Sequence, residues 1–543
     1  MLLWPFNKYP GTDYETFNWE WVLKTVKEWV ATMQTFKNTI TAGWEAMQAA
    51  WEDYQDDMND QWQEFIDDTY KDQITEILEQ HPEWVTTVMD GAITYNKLNS
   101  SLQAFVTPEM YGAIGDGITD DSVAIRAAAA SGRTIFAKAI YKLDDAQIVF
   151  ADNTNLIGGK FIVPSTNNGT AVFRPGNNSL FAYIEIESVN DKTAIIAGST
   201  PVSGSTSSNR YAFYINEKDN VKIKDVDTKN LYSLAFITSP DSTSYNNDIS
   251  IENCTCVNAN LPVFAAMCKG LKMLDTLLHT GSNADNGLFH CAYITYGVDG
   301  CYFENIDMVN EGLASSIHFQ VGSDDYTSYN MKCKNIRVNG CRVTSNASIG
   351  IGHCENCTIE NLDAKIAITS GSANRSLQIQ NDSDNISFKN CNFNFDSETS
   401  VYMGETSSNI NFNKCTFVVK ATRIFNNMAE LLCTFCSFEI TNKSSSYPTL
   451  IGPGTAAYSI KLVKCVVTGS VRFYITTGAD VAGSTLKCDG LEVYKTADAN
   501  SPGTAIDVTN AAVEVLNSIF IGYTTISNSG TLTNKLSQSA TYT

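Results

Sequence analysis

The residues of this chain that could do chemistry are carboxylates set against a row of histidines, amides and tyrosines. Asp324 and Asp325 sit together in Gly322-Ser323-Asp324-Asp325-Tyr326, while Glu355 and Glu405 follow farther along the chain. Hydrolysis of a glycosidic bond needs two flanking carboxyl groups, about 5–5.5 Å apart for retention of configuration and about 6.5–9.5 Å for inversion. These four acids are therefore the candidate catalytic residues. The same run is also an ordinary turn, and a chain with 59 Asp and Glu brings acids near any groove, so turn and solubility roles explain the pair more readily than catalysis.

Four of the five histidines fall between His279 and His353, three of them in strand-like contexts: Leu288-Phe289-His290, Ile317-His318-Phe319-Gln320 and Ile351-Gly352-His353. Leu377-Gln378-Ile379-Gln380 and Tyr402-Met403-Gly404-Glu405 come next. If these strands stack in order, His290, His318 or Gln320, His353, Gln380 and Glu405 form a ridge suited to sugar hydroxyls. Tyr326 and Tyr402 would add ring faces with polar tips. Histidines buried against a neighbouring strand would give the same pattern.

Such a ridge needs elements that repeat in register. Thirty-seven Lys and Arg against 59 Asp and Glu give a net charge of −22, which excludes nucleic acid and anionic membrane surfaces as natural partners. No stretch approaches the roughly 20 apolar residues of a membrane span, and the first ten residues lack the plan of a signal peptide, so folding in a cytoplasm is expected without membrane insertion. The 15 cysteines all lie at or after Cys254, inside apolar runs, and read as buried thiols. Cys354-x-x-Cys357 and Cys433-x-x-Cys436 have zinc-like spacing but no second pair or histidine partner near them, so neither a metal nor another cofactor is expected.

Between Thr16 and Leu78, apolar residues recur in steps of three and four: Val22, Val26, Trp29, Met33, Phe36, Ile40, Trp44, Met47, Trp51, Tyr54, Met58, Trp62 and Phe65. This is a coiled-coil seam with two stutters. Its bulky aromatics suit a three-stranded bundle, so residues 16–104 are expected to be a trimeric helical anchor. Residues 1–15, with Trp4, Pro5, Phe6, Tyr9 and Pro10, read as a docking peptide. The stretch carrying Thr12, Asp13, Tyr14, Phe17, Asn18, Trp19, Trp21 and Val22 resembles the N-terminal attachment segments of structural proteins in short-tailed phages of Gram-positive hosts. The resemblance implies a phage tail or collar protein as partner.

Phe105-Val106-Thr107-Pro108-Glu109-Met110-Tyr111-Gly112-Ala113-Ile114-Gly115-Asp116-Gly117-Ile118-Thr119-Asp120-Asp121 opens the next region, 105–150. A short strand, a glycine-rich turn and a helix capped by Thr119 or Asp120 are expected, with Val123, Ile125 and Ala127 to Ala130 covering an open coil. This segment resembles the opening of pectate-lyase-like β-helix domains, including many phage tailspikes. In that family it is structural, so its acids are left out of the candidate site.

From 151 to 543 one frame repeats, as in Ile336-Arg337-Val338-Asn339-Gly340-Cys341 and Ile386-Ser387-Phe388-Lys389-Asn390-Cys391: alternating apolar residues, a polar turn, then a small or thiol residue. The final positions run Val226, Cys254, Thr276, Ile306, Cys341, Leu362, Cys391, Cys415, Cys436, Cys465, Leu491 and Ser518, about 27 residues apart, a solenoid period. The expected fold is mainly β, a right-handed parallel β-helix starting near Asn153, preceded by the helical anchor, in a homotrimer. The two resemblances imply a virion appendage, a tail spike or collar protein, that binds a bacterial surface glycan, with teichoic acid or capsule as the family-level expectation. Whether it also cleaves the glycan stays open, the alternative being a non-catalytic adhesin. A lyase fits less well because basic residues are sparse between Cys256 and Tyr329.

Overall fold

A computed structural model describes helical positions between Lys24 and Asn38 and most of 105–535, except 145–146, 164–170, 189–210, 240–242, 260, 281–289, 311–316, 323–330, 369–374, 381, 398, 405, 421–422, 427–429, 442–448, 452–456, 470–472, 476–482, 496–503, 509–511, 522–524 and 529–530. The chain divides into two compact units, Met1–Ser100 and Ser101–Thr543.

In the first unit the described helical positions are exposed ones, including Lys24 paired with Glu28 at 3.9 Å and Gln34 donating to Asn38 at 3.0 Å. The seam positions from Val22 to Phe65, the docking peptide and all eight tryptophans lie outside the described residues.

The second unit is a parallel β-helix of the right-handed type, each turn contributing strands to three faces. One repeat shows the plan: Ser250–Glu252 on the first face, Thr255–Ala259 on the second, Val263–Ala266 on the third, before Lys272–Leu274 re-enters the first. Each strand pairs with its equivalent one coil earlier and later. A residue therefore stacks on its counterpart about 4.8 Å away.

Alternation turns this register into a core. On the first face Ile251, Met273, Phe303, Val338, Ile359, Phe388 and Phe412 follow one another in register, all buried. The rings of Phe388 and Phe412 stack at 4.5 Å with planes 3° apart. Each such side chain contributes about 1.5–3 kcal/mol of burial.

The corner between first and second faces explains the repeat frame. All twelve markers from Val226 to Ser518 are buried there. The residue before each is left-handed: Asp225, Asn253, Asp275, Asn305, Gly340, Asn361, Asn390, Lys414, Phe435, Lys464, Gly490 and Asn517 have φ between +47° and +65°. Asn and Asp tolerate that conformation, and at Gly340 a Cβ would lie 2.8 Å from Asn305 Oδ1, so a larger residue there would have to displace that amide. A second left-handed column marks the entry to the first face, where Asn385 Nδ2 donates to Asn356 Oδ1 at 2.7 Å and Asn356 Nδ2 donates to Asn335 Oδ1 at 3.4 Å.

Two expectations need correction. The stack begins before Asn153: Phe105–Val106 pairs with Thr134–Phe136, and Asp116–Asp120 with Ile140–Lys142, because these short strands already follow the parallel register. The capping helix is Ser122–Ala129 with Asp121 at its N-cap position, and Ala124, Ile125, Ala128 and Ala129 cover the coil while Val123 is 72% exposed. Asp121 instead accepts from the backbone of Ile114 at 2.7 Å and Gly115 at 3.1 Å, locking the glycine turn to the helix start.

All 15 cysteines are buried thiols. Cys354 and Cys357 face the interior, and burial pushes the Cys357 thiol up to about 12. Among the described residues no group of three or more His, Cys, Asp or Glu is placed to hold a metal ion. Nor is any described helix long and apolar enough to cross a membrane.

Candidate functional site

One register column on the third face runs from aromatic residues to polar ones along the stack. Strand register aligns Tyr214, Phe236, Phe264, Tyr293, Gln320, Gly350, Gln378, Tyr402 and Asn426, one position per coil. Inward neighbours such as Ile215, Ile237, Ala265 and Ile294 are fully buried, which turns Tyr214, Phe236, Phe264 and Tyr293 outward.

The first part of the column is a stripe of half-buried rings. Tyr214 and Phe236 stack at 5.9 Å with planes 8° apart, Phe236 and Phe264 at 4.4 Å and 13°, and Tyr293 meets Phe264 edge-on at 5.6 Å. The Arg174 guanidinium lies 4.8 Å from the Tyr214 ring and closes one end. His290 is buried and stacks on Tyr293 at 4.6 Å. Because Phe236 has Tyr214 stacked on one side and Phe264 on the other, the stripe turns ring edges outward, an apolar strip beside polar groups of the kind against which the C–H faces of sugar rings pack.

Farther along, the column turns polar. Gln378 is buried and its Nε2 donates to Ser348 Oγ at 2.9 Å. The Arg375 guanidinium sits 3.4 Å from the centroid of Tyr402, so one face of that ring is already occupied.

The expected ridge is thus only partly one line. Gln320 and Tyr402 share the column, Gln320 by backbone register in Ile317–Gly322, where the register slips between Ile317 and Phe319 beside His318. His290 flanks the column at Tyr293. His353 lies at the corner after Ser348–Gly352, with φ +49° and its Nδ1 3.6 Å from Asp382 Oδ2. Gln380, half-buried, follows Arg375–Ile379 and donates its backbone N–H to Ile351 at 2.6 Å, toward that same corner.

Glu355 belongs to the first face, on Cys354–Glu360, paired with Lys334 at 3.3 Å. It is not part of the third-face column. Asp324, Asp325, Tyr326 and Glu405 lie outside the described residues.

The structure also gathers residues that spacing did not suggest. A cleft of about 610 Å3 near the first coils is lined by Lys138, Lys160, Tyr183, Glu185, Asp225 and Asp227. Glu185 and Asp227 are register partners on adjacent strands. Lys160 bonds Glu185 at 2.5 Å and Glu187 at 3.0 Å, and these bonds raise its own pKa. Glu187 is held below the ordinary carboxylate range, first by its hydrogen bond with Lys160. Tyr183 is 65% exposed at φ +59°, a left-handed position that costs an aromatic residue about 1–3 kcal/mol. The readable signal was acids alternating with Ile184 and Ile186; Lys160 comes near them only through register.

No family model matches the chain, and no curated protein matches it. Among solved structures it is similar to a tailspike protein of E. coli bacteriophage HK620 in complex with a pentasaccharide, at 13% identity over 80% of this chain and 79% of that one, TM-score 0.46. It is similar to bacteriophage CBA120 tailspike protein 3 at 11% identity and TM-score 0.39, over 80% of this chain, and spans 60% of that chain's length. The A-module of Azotobacter vinelandii mannuronan C-5 epimerase AlgE6 aligns at 12% identity over 79% of this chain and all of that one, TM-score 0.34. Values this low assign neither an activity nor a ligand.

Proposed function

We propose that the chain is a receptor-binding appendage of a phage virion that lays a bacterial surface polysaccharide along the third face of its β-helix. The third-face column carries this reading: rings on four successive coils, Tyr214, Phe236, Phe264 and Tyr293, with Tyr402 and Asn426 farther along the same register, match a long polymer better than a compact ligand. The resemblance of 105–128 to the opening of tailspike β-helices points the same way, and so does the acidic, coiled-coil-like segment that would anchor a homotrimer to a tail or collar protein. Teichoic acid and capsule are the polymers to try first.

The test incubates full-length protein with walls and capsule from candidate host strains and follows retention on cells together with release of soluble saccharide. Retention that falls on Phe264→Ala supports the reading; absence of retention on every surface overturns it. The trimer and anchor are tested by sedimentation of the chain with and without residues 1–107. A trimer lost on truncation supports both, and a monomeric full-length chain removes both.

Hydrolysis is the second reading. Glu185 and Asp227 occupy one register position on adjacent strands, which sets two carboxyl-bearing side chains next to each other in the first cleft. Release abolished by Glu185→Gln would favour that pair, and release abolished by Asp324→Asn/Asp325→Asn would favour the turn acids.

A further inference from the structure

A second cleft, of about 520 Å3, opens at the corner where the third face turns into the first. Its lining is cationic in a chain of net charge −22: Lys269, Lys332 and Lys334 surround it, with Asp299 as the acid, and Tyr245, Gly297 and Met331 complete the wall. The parallel register makes this gathering, since Lys269 bridges to Asp299 and Asp299 to Lys334 on successive coils. Basic residues are thin in the sequence here, yet the stacking sets Lys269 near Lys332 and Lys334, which lie two coils farther on.

Two of the three lysines also act on acids of later coils, Lys332 on Asp384, whose carboxyl the hydrogen bond from Ser408 and, in smaller part, this lysine hold below its ordinary value. Asp299 Oδ1 already accepts from Asn335 Nδ2 at 2.7 Å. Lys334 is shared with Glu355 at 3.3 Å on the following coil. Lys269 Nζ stands 4.0 Å from the Tyr245 ring centroid, a contact that positions the ammonium without neutralising it. Gly297 follows Ala292–Thr295, the strand that carries Tyr293, so the cleft borders the aromatic stripe.

We infer that this cleft is a subsite for an anionic group, a phosphodiester or a carboxylate, on the polymer that runs along the third face. This rests on the glycan-binding reading and adds the charge class of the ligand. Ammonium groups near an apolar aromatic wall give charge-assisted contacts of the kind that hold phosphate or carboxylate oxygens.

The experiment measures binding of the full chain to three immobilised polymers: a phosphodiester-linked polyol polymer, a polyuronate and a neutral glucan. Wild type is compared with Lys269→Gln/Lys332→Gln and with Lys365→Gln/Lys461→Gln, which removes the same charge elsewhere on the surface. The expected result is preferential, salt-sensitive binding of one anionic polymer, weakened about tenfold in the cleft variant and unchanged in the control. Which anionic polymer binds identifies phosphodiester or carboxylate. Equal losses in both variants, no loss in the cleft variant, or binding of the neutral glucan alone overturns the subsite. Undiminished retention on host cells in the cleft variant overturns the subsite while leaving the appendage reading standing, whereas a wild type that binds no polymer and no cell surface removes both.

Discussion

Phe236 and Phe264, register partners on adjacent coils of the third face, stack with centroids 4.4 Å apart and planes 13° apart. Each ring fixes the other in place, so a ligand meets a preformed apolar strip and loses little entropy to ordering it. Phe264→Ala should lower cell retention about tenfold while costing about 1–3 kcal/mol of stability, less than a fully buried phenylalanine would. Phe264→Leu keeps apolar volume without the ring. It should stay close to wild type in thermal unfolding yet retain less, a split that separates binding from packing.

The asparagine column predicts a stability effect at a surface position. Asn356 combines φ +58° with amide bonds to both neighbouring coils. Asn356→Ala should destabilise by about 1–2 kcal/mol in urea unfolding, and Asn356→Gly by less, since glycine relieves the backbone and loses only the amide bonds.

Buried thiols predict alkaline instability. Burial pushes Cys256, Cys268, Cys357 and Cys488 up to about 12, against 9.0 for the free group. The folded state therefore keeps protons that the unfolded state releases. Their stabilisation is complete below pH 9 and is lost as pH rises toward 12, which thermal melts from pH 8 to 11 would record. Native protein should leave all 15 thiols unreactive to an aromatic disulfide reagent, and urea should expose them.

Acid acts through other groups. Glu187 is lowered first by its bond to Lys160, Glu360 by its bond to Lys389 and Asp384 by its bond to Ser408. Folded carboxyls below their unfolded values of 4.5 and 3.8 stabilise above that range and lose the contribution as pH falls through the folded values. The melting midpoint should hold from pH 7 to about 5 and drop below about 4.5.

The solenoid was legible because its first corner imposes a local rule. A left-handed residue must precede a buried small one, so Asn253-Cys254, Asn390-Cys391 and Asn517-Ser518 print the period into the sequence. The third face obeys no such rule. Its strands start at varying distances from the second face, and the slip between Ile317 and Phe319 moves residues relative to the neighbouring coil. Counting strands in order placed His353 and Gln380 on a ridge, whereas a corner at φ +49° turns His353 out of the strand. The Phe236 and Phe264 stripe went unread because a half-buried phenylalanine looks like core when only the sequence is in view. The lysine cleft joins residues from three coils, which no window of sequence brings together.

The most direct test of the central claim is a crystal structure of the full chain with an oligosaccharide prepared from the wall or capsule of a strain that retains it. The account predicts sugar rings over Phe236, Phe264 and Tyr293, running along successive coils of the third face. An oligosaccharide bound only on the first or second face, with the third-face column bare, would contradict it.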